Sequence, residues 1–319
     1  MNPIYIKKSD GTNEEFDIMK LKESLVRSGA QPTVVDKIIR TITEDLKGKS
    51  EKLGNKAVCN VTEIYKQAFV MLKKMSVSAA ARYSLRRSVM EIGPTGFPFE
   101  EFVAELFKAQ GYETLTDQMV LGKCVPHEVD VIAWNKKKLI MAEVKYHNEL
   151  AGKTDLKVAL YVKARFDDLS QNKYQYTEGT PARKLDEGWL ITNTKFTESA
   201  LTYSECSKLN LLSWNYPKKG NILDLIERYK LHPVTCLTSL ASSDKKFLIG
   251  RKIMLCKDLY NNKKAMQELG MTETKIFKAY DEIGTIFEEL DGVKVALEEV
   301  TSATKQITKS SVKSATLNS

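Results

Sequence analysis

Residues 127–148 read HEVDVIAWNKKKLIMAEVKYHN, two runs of strand-forming residues on either side of a lysine-rich turn. Valine, isoleucine and aromatic residues fill both runs, so a β-hairpin is predicted here, flanked by helical patterns. Side chains alternate along a strand. Leu139, Met141, Glu143, Lys145 and His147 therefore share one face, and Ile140, Ala142, Val144 and Tyr146 share the other, which is predicted to point into the core. With the turn centred on Lys136 and Lys137, Asp130 falls opposite Glu143. Two carboxylates facing each other at about 5 Å between Cβ atoms repel. A divalent cation between them removes the repulsion, and hard oxygen ligands suit Mg²⁺. Lys145 alongside is placed to orient or deprotonate a water, or to stabilise charge growing on a phosphate. The plainer alternative is a solvated strand face on which Lys145 only neutralises Glu143.

The pattern around the hairpin divides the chain. Residues 1–92 open with a predicted hairpin, IYIKKSDGTNEEF, whose Asp10–Gly11 supplies turn chemistry. Four amphipathic helical patterns follow, DIMKLKESLVRSGA, TVVDKIIRTITEDL, VTEIYKQAFVMLKKM and SAAARYSLRRSVMEI. The stretch GPTGFP at 93–98 breaks the pattern and marks a joint. From 93 to 220 the predicted order is helix–strand–strand–helix–strand–helix–strand, an α/β core whose first helix ends at Gly111. Residues 221–300 carry helical signals, and 301–319 form a Ser/Thr/Lys-rich segment expected to be disordered. The fold class expected is α+β multidomain.

With 49 Lys and Arg against 41 Asp and Glu, the chain carries a net charge of +8, which favours a polyanionic partner such as nucleic acid. The start, MNPIYIKKSDG, lacks the apolar core of a secretion signal and no apolar run is long enough to span a bilayer. A cytoplasmic protein without a membrane partner is expected. The five cysteines are scattered and never spaced CxxC, which argues against a zinc site. No GxxxxGK[ST] occurs, so the chain has no P-loop signature.

Asp130, a short hairpin and then Glu143–Val144–Lys145 resemble the PD-(D/E)xK nuclease motif, with Val129 in place of its proline. The surroundings resemble Mrr-type restriction endonucleases over roughly residues 94–217: Phe99–Glu100 on a leading helix, the step Gly111–Tyr112, and GWLITNTKFTESALTYSECSKLNLLSW as a strand–helix–strand ending. The resemblance implies a restriction-endonuclease-like core that hydrolyses DNA phosphodiesters with Mg²⁺. Asp130 and Glu143 would hold the metal, Lys145 would assist the water or the transition state, and Glu100 would be an auxiliary ligand or base. Dimers are common in this superfamily, so a homo-oligomer is implied.

Residues 4–92 resemble an ATP-cone, a nucleotide-sensing module, through IKKSDG, Glu14, Phe16, Lys20–Leu21, VTEIYKQAF and AAARYSLRRS. Ser9 stands where many members carry Arg. The resemblance implies a mostly helical domain with a small hairpin that binds ATP or dATP through Ile6, Lys7, Lys8, Glu14 and Lys20. Taken without it, the three lysines read as solvated surface groups. Arg82, Arg86 and Arg87 form a basic helical end suited to a domain contact or a helix-dipole cap. His232, before Pro233, reads as a turn or packing residue.

The whole is read as a Mg²⁺-dependent DNA endonuclease regulated by nucleotide at the ATP-cone. The alternative is a nucleotide-responsive DNA-binding regulator that no longer cuts. The intact set Asp130, Glu143 and Lys145 favours the first, and an RNA substrate stays open.

Overall fold

The computed structural model describes residues 3–8, 11–53, 59–93, 97–179, 181–268 and 270–288. Ser9, Asp10, residues 94–96 of the joint, residues 289–300 and the segment 301–319 lie outside the described residues.

The amino-terminal region begins with β1 (Tyr5–Lys7) antiparallel to β2 (Asn13–Glu15), with Ile6 opposite Glu14. Asp17 then starts α1 (Ile18–Arg27), its carboxylate accepting from the Met19 and Lys20 N–H groups at 2.8 and 3.3 Å. Those donors have no partner within the helix, which is why an Asp is favoured there. Helices α2 (Pro32–Leu53), α3 (Val61–Met75) and α4 (Val77–Met90) follow. Their apolar stripes bury Leu25, Ile38, Ile42, Leu46 and Leu72 in one core with Ile6. Gly29, at φ +77°, ends the turn after α1, and a Cβ on it would collide with the Arg82 guanidinium. That position admits only glycine if Arg82 is to lie where it does.

Helix α5 (Phe97–Lys108) leads through Gly111, at φ +86°, into the central sheet. Strands β3 (Glu113–Leu121), β4 (Pro126–Trp134) and β5 (Leu139–Lys145) form an antiparallel meander. The short β6 (Lys153–Thr154), α6 (Leu156–Leu169) and a small ribbon of β7 (Lys173–Tyr174) with β8 (Arg183–Lys184) come next. Strand β9 (Glu187–Thr192) then joins β5 in parallel. β10 (Lys195–Phe196) pairs with β6, α7 (Glu198–Ser207) returns along the sheet, and β11 (Asn210–Leu212) closes the order β11-β9-β5-β4-β3.

Two features of the sheet differ from the sequence expectation. Strand β3 is additional to the expected order. It is an edge strand whose burial alternates weakly and leaves Met119 and Leu121 two-thirds exposed, so it carries little apolar signature. Strand β5 is buried on both faces rather than one. Ile140, Ala142 and Val144 pack with Phe102 and Phe107 of α5, while Leu139 and Met141 pack with Val162 and Phe166 of α6. A central strand between two helical layers has no solvent face.

The carboxy-terminal region is helical, comprising α8 (Ile222–Tyr229), α9 (Ser242–Gly250), α10 (Cys256–Asn261), α11 (Lys263–Glu268) and α12 (273–288). Helices α9 and α10 are separated by Lys252 at φ +62° and by the bridge of Leu255 to Pro233. Leu225, Leu255 and Ile283 share one apolar core with Phe99 and Phe102 of α5 and with Leu85, Val89 and Ile92. The core thus runs past the joint at 93–98 in both directions. No helix among the described residues is long and apolar enough to cross a membrane.

Candidate functional site

Strands β4 and β5 pair from Trp134↔Leu139 to Val131↔Ala142, the register expected from a turn at Lys136–Lys137. The next rung brings Asp130 and Glu143 together, but the backbones part there. The Asp130 carboxylate steps in as acceptor, taking the Val144 N–H at 2.6 Å through Oδ2. On its other side, the β3–β4 ladder runs Thr116↔Val131 and Gln118↔Val129 and skips Asp117, which adopts φ +55°. A non-glycine residue in that region marks a deliberate local break in a strand. The sheet is therefore opened at one rung, and the opening carries Asp117, Asp130 and Glu143 on three adjacent strands.

Glu143 is almost wholly buried and doubly paired. Its Oε1 meets Lys145 Nζ at 2.6 Å and Tyr161 OH at 3.3 Å, and its Oε2 pairs with Arg165 Nη1. Arg165 also donates to the Glu128 carbonyl at 3.0 Å, tying α6 to β4. Tyr161 lies one turn before Arg165 on α6, with the Lys145 ammonium and the Arg165 guanidinium 5.6 and 5.7 Å from its ring centroid. Burial pulls the Lys145 pKa down, but hydrogen bonds with Glu143 and Tyr161 outweigh it and keep the ammonium firmly charged.

Glu100, on α5, completes the acidic side. Burial first, then the charges of Asp130, Asp117, Glu128 and Glu143, push its pKa up to about 7. Burial and the Glu143 charge likewise push Asp130 up to about 6, against the Val144 hydrogen bond. Both shifts come first from burial of the charged form and second from the neighbouring carboxylates.

All four residues expected at this site thus gather where the β4–β5 ladder ends, with Glu100 contributed by α5. Sequence reasoning missed Asp117, Glu128, Tyr161 and Arg165. The last two had a signal, being four apart on the helix that covers the motif strand. Asp117 had none, because β3 itself was not recognised. His127 is drawn away from the site by Asp168 on α6, which accepts from its Nε2 at 2.8 Å and is held down to about 2 mainly by that contact. His147 exchanges backbone hydrogen bonds with the Asn193 amide, both at 2.8 Å.

The second group of expected residues lies beside α1. Ile6, Glu14 and Lys20 line a cavity of about 570 Å³ together with Phe16, Tyr65 and Arg82. Glu14 holds Lys8 Nζ at 2.6 Å and Lys20 Nζ at 3.8 Å, and Lys8 foremost lowers its pKa. Lys7 is exposed and its N–H bonds the Cys59 carbonyl, so strand alternation carries it away from Ile6 and off the cavity. The basic end of α4 points into the same space. Arg82 Nε donates to the Ser28 carbonyl at 2.7 Å and the Arg87 guanidinium stacks 3.9 Å from the Tyr65 ring centroid. Tyr65 in turn stacks on Tyr83 at 5.1 Å.

These two sites coincide with two family matches. Residues 4–91 match the ATP cone domain and residues 94–215 match a restriction endonuclease domain of the Mrr catalytic type. A third match, described as AF1548-like, C-terminal, covers residues 232–287. The fold and sites thus define a chain that joins an ATP cone to a restriction-endonuclease core. It belongs to the same family as an uncharacterized protein of Archaeoglobus fulgidus, which is 34% identical over 177 residues, 54% of this chain and 92% of that protein. Among solved structures, a protein of unknown function, AF1548, is 31% identical with a TM-score of 0.47, over 60% of this chain and 97% of that one. The MspJI restriction endonuclease in complex with a 27-mer oligonucleotide is 13% identical with a TM-score of 0.32, over 55% of this chain and 36% of that one.

Proposed function

We propose that this protein is a divalent-metal-dependent DNA endonuclease whose activity is controlled by ATP or dATP bound at the ATP cone. The observation that carries the reading is the opened rung, where Asp130 and Glu143 meet beside Lys145. A divalent cation fits the donor chemistry. The oxygens are hard ligands, and Asp117, Asp130 and Glu143 stand on three adjacent strands at the opened rung, where a cation would offset their mutual repulsion. Among the described residues no three His, Cys, Asp or Glu side chains converge closely enough to hold a metal alone. Mg²⁺ commonly takes only one or two carboxylates and fills its shell with water and phosphate.

Asp130 and Glu143 are the residues that would hold the ion, which when bound polarises a phosphoryl oxygen and acidifies a water. The protein's own groups do the rest. The Val144 N–H fixes the Asp130 carboxylate. Lys145, charged and 2.6 Å from Glu143, supplies positive charge at the position where a phosphate gains negative charge. Glu100, on α5 beside this acidic cluster, is the candidate to take a proton from water. The net charge of +8 favours DNA as partner.

A second reading rests on Glu143, both of whose oxygens are engaged by cations. A site closed in this way suits a nucleotide-responsive DNA-binding regulator that does not cut. Plasmid and linear DNA incubated with Mg²⁺ or EDTA, with and without ATP or dATP, separates the two. Mg²⁺-dependent cutting that disappears in Asp130→Ala and Lys145→Ala supports the endonuclease. DNA binding without cutting, unaltered in both variants, replaces it with the regulator.

A further inference from the structure

The cavity beside α1 is walled on one side by the restriction-endonuclease region: Leu150, Lys195 and Trp214 line it together with Arg86 and Arg87 of α4. Arg86 crosses the boundary and donates from Nη2 to the Leu150 carbonyl at 3.0 Å. Its Nε is buried and has no hydrogen-bond partner among the described residues. Burial and Arg87 lower the Arg86 pKa, and burial, Arg86 and Lys153 lower that of Lys195. The neighbouring charges that shift these two side chains are positive, while Glu14 and Glu227 also line the cavity. Cations gathered from two domains repel one another unless an anion joins them.

We propose that Arg86 and Lys195 together bind the phosphates of a nucleotide in this cavity, so that the endonuclease domain supplies part of the effector site. The inference rests on the reading of the cavity as a nucleotide site and names the residue through which occupancy reaches the nuclease. Lys195 lies two residues after Asn193, whose amide holds the His147 backbone at 2.8 Å on both sides. His147 is two residues beyond Lys145. Between them, the Tyr146 hydroxyl donates to the Met90 carbonyl at the end of α4. A phosphate drawn between Arg86 and Lys195 thus pulls on the segment that leaves the catalytic strand, and linkage requires the nuclease site to act back on nucleotide affinity. The guanidinium of Arg86 suits bidentate phosphate contact, and the Lys195 ammonium supplies a point charge.

The test is ATP affinity of the full chain, read by calorimetry, for wild type, Lys195→Glu, Lys195→Arg and the surface control Lys173→Glu. Melting temperatures confirm that each variant is folded. The expected result is at least about a tenfold loss for Lys195→Glu, with Lys195→Arg and Lys173→Glu close to wild type, the scale of one lost charge-assisted phosphate contact. Wild-type affinity in Lys195→Glu, or an equal loss in Lys173→Glu, overturns the assignment while leaving the nucleotide reading intact. Failure of the wild-type chain to bind ATP overturns both.

Discussion

The Asp130 carboxylate accepts the backbone N–H of Val144, the residue between Glu143 and Lys145, at 2.6 Å. One side chain thereby closes the ladder where β4 and β5 part and stands in the acidic cluster. Its structural and chemical duties are separable by substitution. Asp130→Asn keeps an acceptor for Val144 but loses the charge. It is expected to melt close to wild type while DNA cleavage falls by about a hundredfold or more, the scale of a lost electrostatic contribution to a transition state. Asp130→Ala additionally leaves the Val144 N–H unsatisfied and is expected to lose about 1–3 kcal/mol in urea unfolding.

Arg165 offsets the buried Glu143 carboxylate from the side opposite Lys145. Arg165→Ala removes one of two cationic partners and leaves the other. A loss of about 1–3 kcal/mol is expected, below the range for stripping a buried charge of its only partner. Chemical denaturation at neutral pH measures it, and Arg165→Lys is expected to recover part of the loss.

His232 is fully buried before the turn at Val234, with neither ring nitrogen hydrogen-bonded among the described residues and its ring 6.4 Å from that of Phe287. Burial, helped by Arg82, pushes its pKa down to about 3. The unfolded chain protonates near pH 6.5, so below that value the unfolded state binds the proton that the folded state refuses. Stability is therefore present above pH 6.5 and is lost as the pH falls toward 3. Between pH 7.5 and 5 this site accounts for about 2 kcal/mol of loss. Urea midpoints at the two pH values are expected to differ less in His232→Leu than in wild type.

Gly188 on β9 lies under the ring of Phe166, and a Cβ built there collides with it. Phe166 follows Arg165 on α6. Gly188→Ala is expected to cost about 1–3 kcal/mol by overpacking and to lower DNA cleavage by displacing the helix that carries Arg165 and Tyr161. Melting temperature and cleavage rate, measured together, check both effects.

Much of this arrangement was legible in the sequence. The helices of residues 1–92 announce themselves by apolar periodicity. The β4–β5 register followed from the lysine turn alone, and with it the approach of Asp130 to Glu143. Edge strand β3 escaped because Met119 and Leu121 face outward, so no buried stripe records it. Asp117 escaped with it. The burial of Glu143 was hidden for a different reason. A strand that alternates apolar and charged residues reads as half-exposed, and only the docking of α6 shows that Arg165 and Lys145 allow the carboxylate to be enclosed. Strand alternation sends Lys7 away from the cavity that Ile6 and Glu14 line, a placement the lysine-rich run IKK does not reveal.

Helix α4 turns Ala79 and Ala80 toward the amino-terminal core and Leu85 and Val89 toward the core that α5 and the carboxy-terminal helices share. It is a party wall, and neither house stands complete without it. A chain cut at the joint would leave the nuclease with an uncovered greasy flank and the sensor with a sticky last helix. Swapping this sensor onto another enzyme therefore means carrying the wall along and building the neighbour's side of it afresh.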